Sequence, residues 1–328
     1  MQVVMTLGPA TERPDQIAAL MDCAARFRLN AAHLPGDALG IWLRRLDEVF
    51  QRQGAARPVV IDLQGAKMRV GRLPQKQRLA DTVTLVCATE VDDPSRGVPV
   101  PHPELFEAVR PGERLTLDDA RITLEVERVA DRRIHARVLD GSVLKANKGI
   151  NRADHPVPFG GLSGADRRAL DLARGFSFCQ FAFSFVLDGS EAACLRRETD
   201  AHLVAKLERP EALQRVEAVA DAFDELWLCR GDLGSQAGLA ALGPLQRDLT
   251  RRVPGLPVPT LLAGQVLEHM TEHSAPTRSE VVHLYDTAEQ GWAGVVLSDE
   301  TAVGRDPAAI CALLRTLPFI QQPRGIRK

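Results

Sequence analysis

The sequence lacks several features that would mark a specialised protein. No apolar run approaches the roughly 18 residues that a bilayer-spanning helix needs. The first residues have no basic start, apolar core or small-residue cleavage site of a signal peptide. A formal net charge of −2 gives no excess of one sign for binding nucleic acid or membrane surfaces. We therefore expect a cytoplasmic protein, with neither nucleic acid nor membrane as a partner.

Cysteine and lysine are also few. The six cysteines show no paired metal-ligand spacing and lie mostly in apolar runs, which predicts reduced, buried thiols. Only six of the 41 lysines and arginines are lysines. Because ammonium and guanidinium groups are not interchangeable, each lysine in a polar setting is a candidate for a specific role.

The sequence has the strand-and-helix pattern of an α/β protein. The chain alternates eight short β-rich runs with amphipathic helical stretches, as expected of a parallel sheet closed into a (β/α)₈ TIM barrel. The predicted strands are 2–7, 28–32, 58–63, 178–185, 202–207, 226–229, 260–263 and 294–297.

One segment after the third strand breaks this alternation. It contains β-rich runs separated by Pro-Gly, Asp-Asp and Asp-Gly turns, and it ends in a return rich in proline and glycine. A structureless loop of this length is improbable inside a compact domain. We predict a small β-barrel-like domain at 65–157, inserted between the two barrel segments 1–64 and 158–328.

Polar side chains follow several of the predicted strands. In such a barrel the active-site groups gather where the strands run into the following loops. Lys206 and Glu208 are two residues apart on one strand and therefore share a face, although a structural ion pair would give the same pattern. Glu208 and Asp232 follow adjacent strands, and two carboxylates that leave room for substrate oxygens and water suit Mg²⁺. A barrel mouth that stabilises negative charge is predicted.

A series of short motifs, taken together, resembles the pyruvate kinases. The motifs occur in the order of that family and include 5–10, 28–30, 62–65, 148–151, 205–208, 230–234, 265–268, 276–278 and 297–302. The resemblance implies a barrel interrupted by a β-rich domain, which agrees with the break in the pattern. It also implies a reaction in which ADP attacks the phosphorus of phosphoenolpyruvate.

The resemblance further implies a role for particular residues. Lys206 would face the phosphate and the incipient enolate, and Glu208 and Asp232 would hold Mg²⁺ or Mn²⁺. The other implied roles are phosphoryl contact by Arg28 and Arg69, binding of the substrate carboxylate by Gly231 and Asp232, and approach to ADP or ATP by Asn30, His33 and Lys148.

Departures from the family lead to further expectations. The family holds a monovalent cation with a Ser and a Glu that are Ala32 and Lys67 here, so the ammonium of Lys67 would pair with Asp62 and K⁺ would not be required. Gly264 replaces a Thr whose hydroxyl lies near the carbon to be protonated. Its loss implies slower protonation of the enol, which Gly264→Thr should reverse, or a pocket for a bulkier acid.

The family also carries a C-terminal domain, so the end of this chain implies no allosteric control of that type. A homodimer through the side of the barrel is left open. Two alternatives to pyruvate kinase activity stay open at this point. One is the same chemistry on another enolpyruvate or 2-oxo acid, including aldol or decarboxylation reactions. The other is a catalytically silent binding protein.

Overall fold

The computed structural model describes residues 1–34, 36–118, 121–152, 157 and 159–320, apart from the side chains of His33 and Pro94. Strands are numbered in chain order. They are β1 Gln2–Thr6, β2 Arg26–Asn30, β3 Val59–Leu63, β4 Gln77–Arg78, β5 Thr82–Val86, β6 Val98–Pro99, β7 Arg114–Leu117, β8 Ile122–Ala130, β9 Arg133–Asp140, β10 Val143–Leu144, β11 Ile150–Arg152, β12 Cys179–Phe183, β13 Leu203–Leu207, β14 Glu225–Cys229, β15 Thr260–Ala263 and β16 Gly294–Leu297.

Helices flank most of these strands. The α-helices are α1 Pro14–Leu20, α2 Ala38–Gln53, α3 Pro103–Ala108, α4 Gly164–Ala173, α5 Glu191–Arg196, α6 Pro210–Gln214, α7 Val216–Ala222, α8 Arg230–Ala237, α9 Leu239–Arg252, α10 Arg278–Glu289, α11 Asp299–Ala302 and α12 Pro307–Thr316. Short 3₁₀ helices span Pro9–Thr11, Ala31–His33, Pro94–Arg96, Val253–Gly255 and Glu268–Thr271. Within the described residues, no helix is long and apolar enough to cross a bilayer.

A closed parallel barrel confirms the predicted fold. Its strands follow the order β1-β16-β15-β14-β13-β12-β3-β2, so the first and last barrel strands pair with each other. The barrel interior is filled by small and branched side chains, including Val4, Val60, Ala182, Val204 and Leu261. Because parallel strands all end at one rim, this packing brings the residues that follow each strand together.

Strand β2 begins at Arg26, two residues before the predicted start at 28. A charged residue at position 26 is unexpected inside a buried barrel strand. In the structure Arg26 forms an ion pair with the buried carboxylate of Glu225, with 2.7 Å between the nitrogen and oxygen atoms. A partner that lies far away in the sequence therefore allows a charged residue inside the barrel wall.

Residues Ala66–Gly161 form a compact unit separate from Met1–Gly65 and Leu162–Lys328. Its six-stranded sheet has the order β11-β7-β8-β9-β5-β6, and β10 pairs with β4. The sequence indicated only strands here, yet α3 lies between β6 and β7. This helix starts with Pro103 and buries Leu105 and Phe106. A six-residue helix is too short to show a helical repeat, which explains why the pattern missed it.

Residues near the start of the barrel unit contact residues near its end. Cys23, just after α1, forms a disulfide with Cys311 of α12, and their Cα atoms are 5.7 Å apart. Asp22 pairs with Arg315 at 2.8 Å, and the amino group of Met1 donates to the carbonyl of Phe319. The prediction of reduced thiols is therefore wrong for this pair. A separation of 288 residues gives no spacing signal in the sequence.

We expect Cys311→Ala to lower the melting temperature by about 5–10 °C, since a cross-link over a long loop limits the unfolded chain. Thermal unfolding followed by circular dichroism without reductant measures this. Cys194→Ala removes a free thiol and is the control. A wild-type melting temperature that does not change with added dithiothreitol would contradict the prediction.

Candidate active site

Strand β13 positions the central cation of the barrel mouth. Lys206 lies near its end, and Glu208 follows the strand by one residue. The ammonium nitrogen of Lys206 is 2.9 Å from Oε1 of Glu208, and both side chains are almost fully buried. The side-chain alternation of a strand places the two groups on the same face.

Two further barrel strands contribute to the same cluster. Asp62, from β3, lies with its Oδ2 atom 3.1 Å from the ammonium of Lys206. Arg28, from β2, donates to that carboxylate from Nε at 3.0 Å and from its terminal nitrogen at 2.5 Å. Within the barrel unit Asp62 is therefore held by Arg28 and Lys206, and its pairing with Lys67 of the inserted unit stays a prediction.

Ser184 is part of the cluster and was missed in the sequence. It follows β12, and its hydroxyl accepts a hydrogen bond from Lys206 at 3.0 Å. The hydroxyl lies 2.8 Å from the carbonyl oxygen of Leu63 and 3.2 Å from Oδ1 of Asp62. The signal was a polar residue after an apolar run, but the predicted strand 178–185 extended past it. Four consecutive strands of the closed sheet, β2, β3, β12 and β13, therefore supply this cluster.

The residue after Ser184 fixes the orientation of Glu208. The backbone N–H of Phe185 donates to Oε2 of Glu208 at 2.7 Å. Phe185 has a φ of 60°, in the left-handed region that is costly for an aromatic residue. The guanidinium of Arg209 lies over its ring, 4.9 Å from the ring centre. Such backbone strain is concentrated at functional sites, where the surrounding packing maintains it.

The cluster is charged at neutral pH. Burial opposes the ionised form of Asp62, but Lys206 and Arg28 outweigh it and lower the pKa of the carboxyl group. Burial likewise opposes the charged form of Lys206, but Asp62 and Glu208 raise the pKa of the ammonium. Burial, and then the negative charge of Glu208, raise the pKa of the neighbouring Cys229 thiol, which keeps it neutral. The mouth therefore holds a permanent ammonium beside carboxylates.

Helix α8 begins directly after β14 and presents the predicted turn. Gly231 is exposed and Asp232 is half-buried in the first turn. The preceding Arg230 donates from Nε to the carbonyl of Gly264 at 2.8 Å and from a terminal nitrogen to the carbonyl of Gln265 at 2.8 Å. Another terminal nitrogen lies 2.8 Å from Nε2 of His283. Arg230 therefore fastens the loop after β15 to the start of α8.

Gly264 adopts a backbone conformation that favours glycine. Its φ is 89°, and a β-carbon added there would lie 3.3 Å from the backbone nitrogen of Gly231. The backbone at Gly264 therefore packs closely against the start of α8, and a side chain there would press on the Gly231 amide. The sequence led us to expect that Gly264→Thr would restore a useful hydroxyl, but a branched side chain is strained at this φ.

We therefore expect Gly264→Thr to lower the free energy of unfolding by about 1–3 kcal/mol and not to raise the rate of the pyruvate formation that the motif resemblance implies. Urea unfolding and a coupled pyruvate assay measure the two effects. Gly243→Ala is the control, because Gly243 lies inside α9 with open space around it. A Gly264→Thr protein as stable as the wild type and faster in turnover would contradict this expectation.

The other predicted site residues are placed as follows. Asn30 ends β2, and the side chain of His33 lies outside the described part of the structure. The inserted unit contains Lys67, Arg69 and Lys148. Within that unit, Arg69 donates to the carbonyl of Asn147 at 3.0 Å, and Lys148 is 2.6 Å from a carboxylate oxygen of Asp118. The roles predicted for these residues stay predictions.

The residues at the mouth fit a divalent cation that keeps open positions. Among the described residues, no three His, Cys, Asp or Glu side chains form a metal-binding group. Glu208 and Asp232 instead follow the adjacent strands β13 and β14. Mg²⁺ is commonly held by one or two carboxylates, while substrate oxygens and water complete the octahedron. The donor set therefore suits Mg²⁺ or Mn²⁺ better than Zn²⁺, which prefers closed nitrogen and sulfur sites.

The fold and the mouth define a (β/α)₈-barrel protein with a buried ammonium–carboxylate cluster at the carboxyl ends of its strands. Comparison with known proteins gives the family. The family model described as "Pyruvate kinase, barrel domain" matches residues 1–310. The chain therefore belongs to the pyruvate kinase family, as its motifs led us to expect.

Individual relatives agree with this assignment. A pyruvate kinase of Agrobacterium vitis is 31% identical over 96% of this chain and 67% of its own length. One from Mycobacterium tuberculosis is 29% identical over 98% of this chain and 70% of its own length. The crystal structure of pyruvate kinase from Pyrobaculum aerophilum matches with a TM-score of 0.80 at 25% identity, over 95% of this chain and 71% of that one. The chain thus spans about two thirds of the length of such relatives.

Proposed function

We propose that this protein transfers the phosphoryl group of phosphoenolpyruvate to ADP, as its relatives' name indicates for them. The observation that carries the proposal is the buried ammonium of Lys206, held between Asp62 and Glu208 at the barrel mouth. A preorganised cation in a water-poor site stabilises negative charge that develops in a transition state. An enolate leaving group develops such charge.

The proposed reaction divides the work among a few residues. An oxygen of the ADP β-phosphate attacks phosphorus, the bond from phosphorus to the enol oxygen breaks, and Lys206 stabilises the departing enolate. Arg28, with Arg69 as the second predicted contact, binds the phosphoryl oxygens. The N-terminal turn of α8, at Gly231, binds the substrate carboxylate through its backbone N–H groups. Protonation of the enol at carbon then gives pyruvate.

Glu208 and Asp232 would hold the divalent ion. When bound, Mg²⁺ or Mn²⁺ supplies positive charge to the substrate oxygens. Asn30, His33 and Lys148 are proposed to approach the nucleotide, and the cytoplasmic location and homodimer stay predictions from the sequence.

A second candidate is the same enolate chemistry on a bulkier enolpyruvate or 2-oxo acid. The observation that favours it is that Gly264, directly after β15, carries no side chain where the family resemblance implied a Thr. The sequence led us to expect that this loss would admit a bulkier acid. The charged cluster around Lys206 would serve either substrate, because both reactions pass through an enolate.

A coupled assay for pyruvate from phosphoenolpyruvate, ADP and Mg²⁺ tests the first candidate. A rate above about 1 s⁻¹, within the usual range of enzyme turnover, supports it. No turnover, but thermal stabilisation by Mg²⁺ with oxalate, an enolate mimic, favours the second candidate. The absence of both would overturn the two proposals and favour a silent binding protein.

We expect turnover to be independent of K⁺. The predicted reason is that Lys67 supplies the positive charge which a monovalent cation would otherwise bring to Asp62, while Ala32 offers no side-chain oxygen. Initial rates in KCl, NaCl and tetramethylammonium chloride should agree within about twofold, because non-specific screening is the same at equal ionic strength. An activity that rises several-fold in KCl alone would refute the prediction. Lys67→Glu should create a K⁺ requirement, whereas Lys76→Glu, at an exposed position, should not.

A further inference from the structure

The chain leaves the barrel unit after Gly65 and re-enters it at Leu162. Both connecting segments are fastened on the barrel side by one buried carboxylate, that of Asp166 in the first turn of α4. Its Oδ1 atom accepts a hydrogen bond from the backbone N–H of Gln64 at 2.9 Å, and the N–H of Gly65 also donates to the carboxylate. Its Oδ2 atom accepts from the hydroxyl of Ser163 at 2.8 Å.

The segment at Gly65 also packs against the cluster around Lys206. Gly65 has a φ of 57°, and a β-carbon added there would lie 2.5 Å from the carbonyl oxygen of Ser184 and 2.8 Å from its nitrogen. The backbone at Gly65 therefore packs directly on the Ser184 peptide. The hydroxyl of Ser184 accepts a hydrogen bond from Lys206, and the next N–H, of Phe185, holds Glu208.

From these contacts we infer that Asp166 is a positioning residue for the Lys206 cluster. It holds Gln64 and Gly65 against Ser184, and so keeps the Ser184 hydroxyl at Lys206 and the Phe185 N–H at Glu208. That Lys206 is a catalytic group rests on the proposed function. That Asp166 holds Gln64 and Gly65 against Ser184, and thereby positions Lys206 and Glu208, does not.

A carboxylate is needed here because of the number of donors that converge on it. Three backbone N–H groups, those of Gln64, Gly65 and Ser163, and the Ser163 hydroxyl donate to Asp166, and an ionised carboxylate offers two oxygens to accept them. An asparagine would offer one oxygen and would turn an N–H₂ group toward another donor. Capping of α4 alone does not require this arrangement, since Ser163 already accepts from the N–H of Asp166 at 3.0 Å.

The test compares Asp166→Asn with Asp171→Asn, a control at an exposed position on the same helix. Amide hydrogen exchange is measured at Gln64, Gly65 and Phe185. We expect Asp166→Asn to raise the exchange rate at all three amides by about tenfold, as lost local protection would. Unchanged exchange at Phe185 would overturn the inference, and this readout does not depend on turnover.

Kinetics separate positioning from a purely structural role. Asp166→Asn should lower kcat by about tenfold and leave KM for phosphoenolpyruvate within about twofold, because a displaced group mainly raises the barrier of the chemical step. Ser163→Ala removes the helix cap and one donor to Asp166 but keeps the carboxylate and its contact with Gln64, so it should lower kcat by less than about twofold. Equal loss of kcat in both variants would mean that capping is the whole role and would refute the inference.

A second variant guards against the failure of Asp166→Asn to fold. Gly65→Ala leaves the carboxylate intact but pushes a methyl group against the Ser184 peptide. It should raise exchange at Phe185, whereas Gly160→Ala, with open space around it, should not. If the wild type does not turn over phosphoenolpyruvate, the proposed function fails. Exchange at Phe185 still shows in that case whether Asp166 positions the Lys206 cluster.

Discussion

Replacing Lys206 with methionine is expected to lower kcat for phosphoryl transfer by about 1000-fold, the upper range for loss of one preorganised group that stabilises developing negative charge. Methionine has a similar length and cannot carry charge. The effect should fall on kcat, because the ammonium acts on charge that appears as the bond to phosphorus breaks. Activity that survives this change would show that the assigned mechanism is wrong.

The stability of the Lys206→Met protein has to be measured alongside. The ammonium lies between the buried carboxylates of Asp62 and Glu208, and loss of one partner from a buried ion cluster costs about 3–5 kcal/mol. Circular dichroism below the melting temperature shows whether the assay is performed on folded protein. Lys76→Met is the control, since Lys76 is exposed and lies in the inserted unit. It should change neither property.

Glu208→Gln is expected to weaken Mn²⁺ binding by at least about 100-fold, because hard divalent cations depend on carboxylate charge. The amide oxygen can still accept the hydrogen bond from Phe185, so the backbone there should stay in place. Titration with Mn²⁺ followed by electron paramagnetic resonance measures the free ion directly and needs no turnover.

Two variants complete the test of the metal site. Glu217→Gln removes an exposed carboxylate that pairs with Arg252, and it should leave Mn²⁺ affinity unchanged. Asp232→Asn should weaken binding to a similar degree as Glu208→Gln if both carboxylates hold the same ion. Mn²⁺ affinity that is unchanged in Glu208→Gln would remove this residue from the proposed metal site.

The local pattern was sufficient for most of the barrel. Apolar runs bounded by turn residues gave β15 and β16 at their observed bounds. The spacing of Lys206 and Glu208 gave their shared face, because alternation along a strand is a local property. The local pattern missed α3, because its six residues are too few to show a helical repeat.

Relations between distant parts of the chain could not be read in this way. The disulfide of Cys23 with Cys311 joins residues 288 positions apart, and the ion pair of Arg26 with Glu225 extends β2 past its predicted start. Ser184 is one more example, since its importance comes from Lys206 on the neighbouring strand. Pairing of this kind depends on which strands become neighbours in the barrel. The periodicity of the sequence does not show which strands these are.

The sequence by itself determined the strand-and-helix alternation, the inserted segment and the family, because these depend on local pattern and on ordered motifs. Only the tertiary structure decided that Arg28, Asp62, Ser184 and Lys206 form one charged cluster, and that Asp166 fastens the segments beside it. The physical reason is closure of the barrel. Parallel pairing brings the ends of strands that are far apart in the chain to within hydrogen-bonding distance, and their burial makes each charge dependent on its partners.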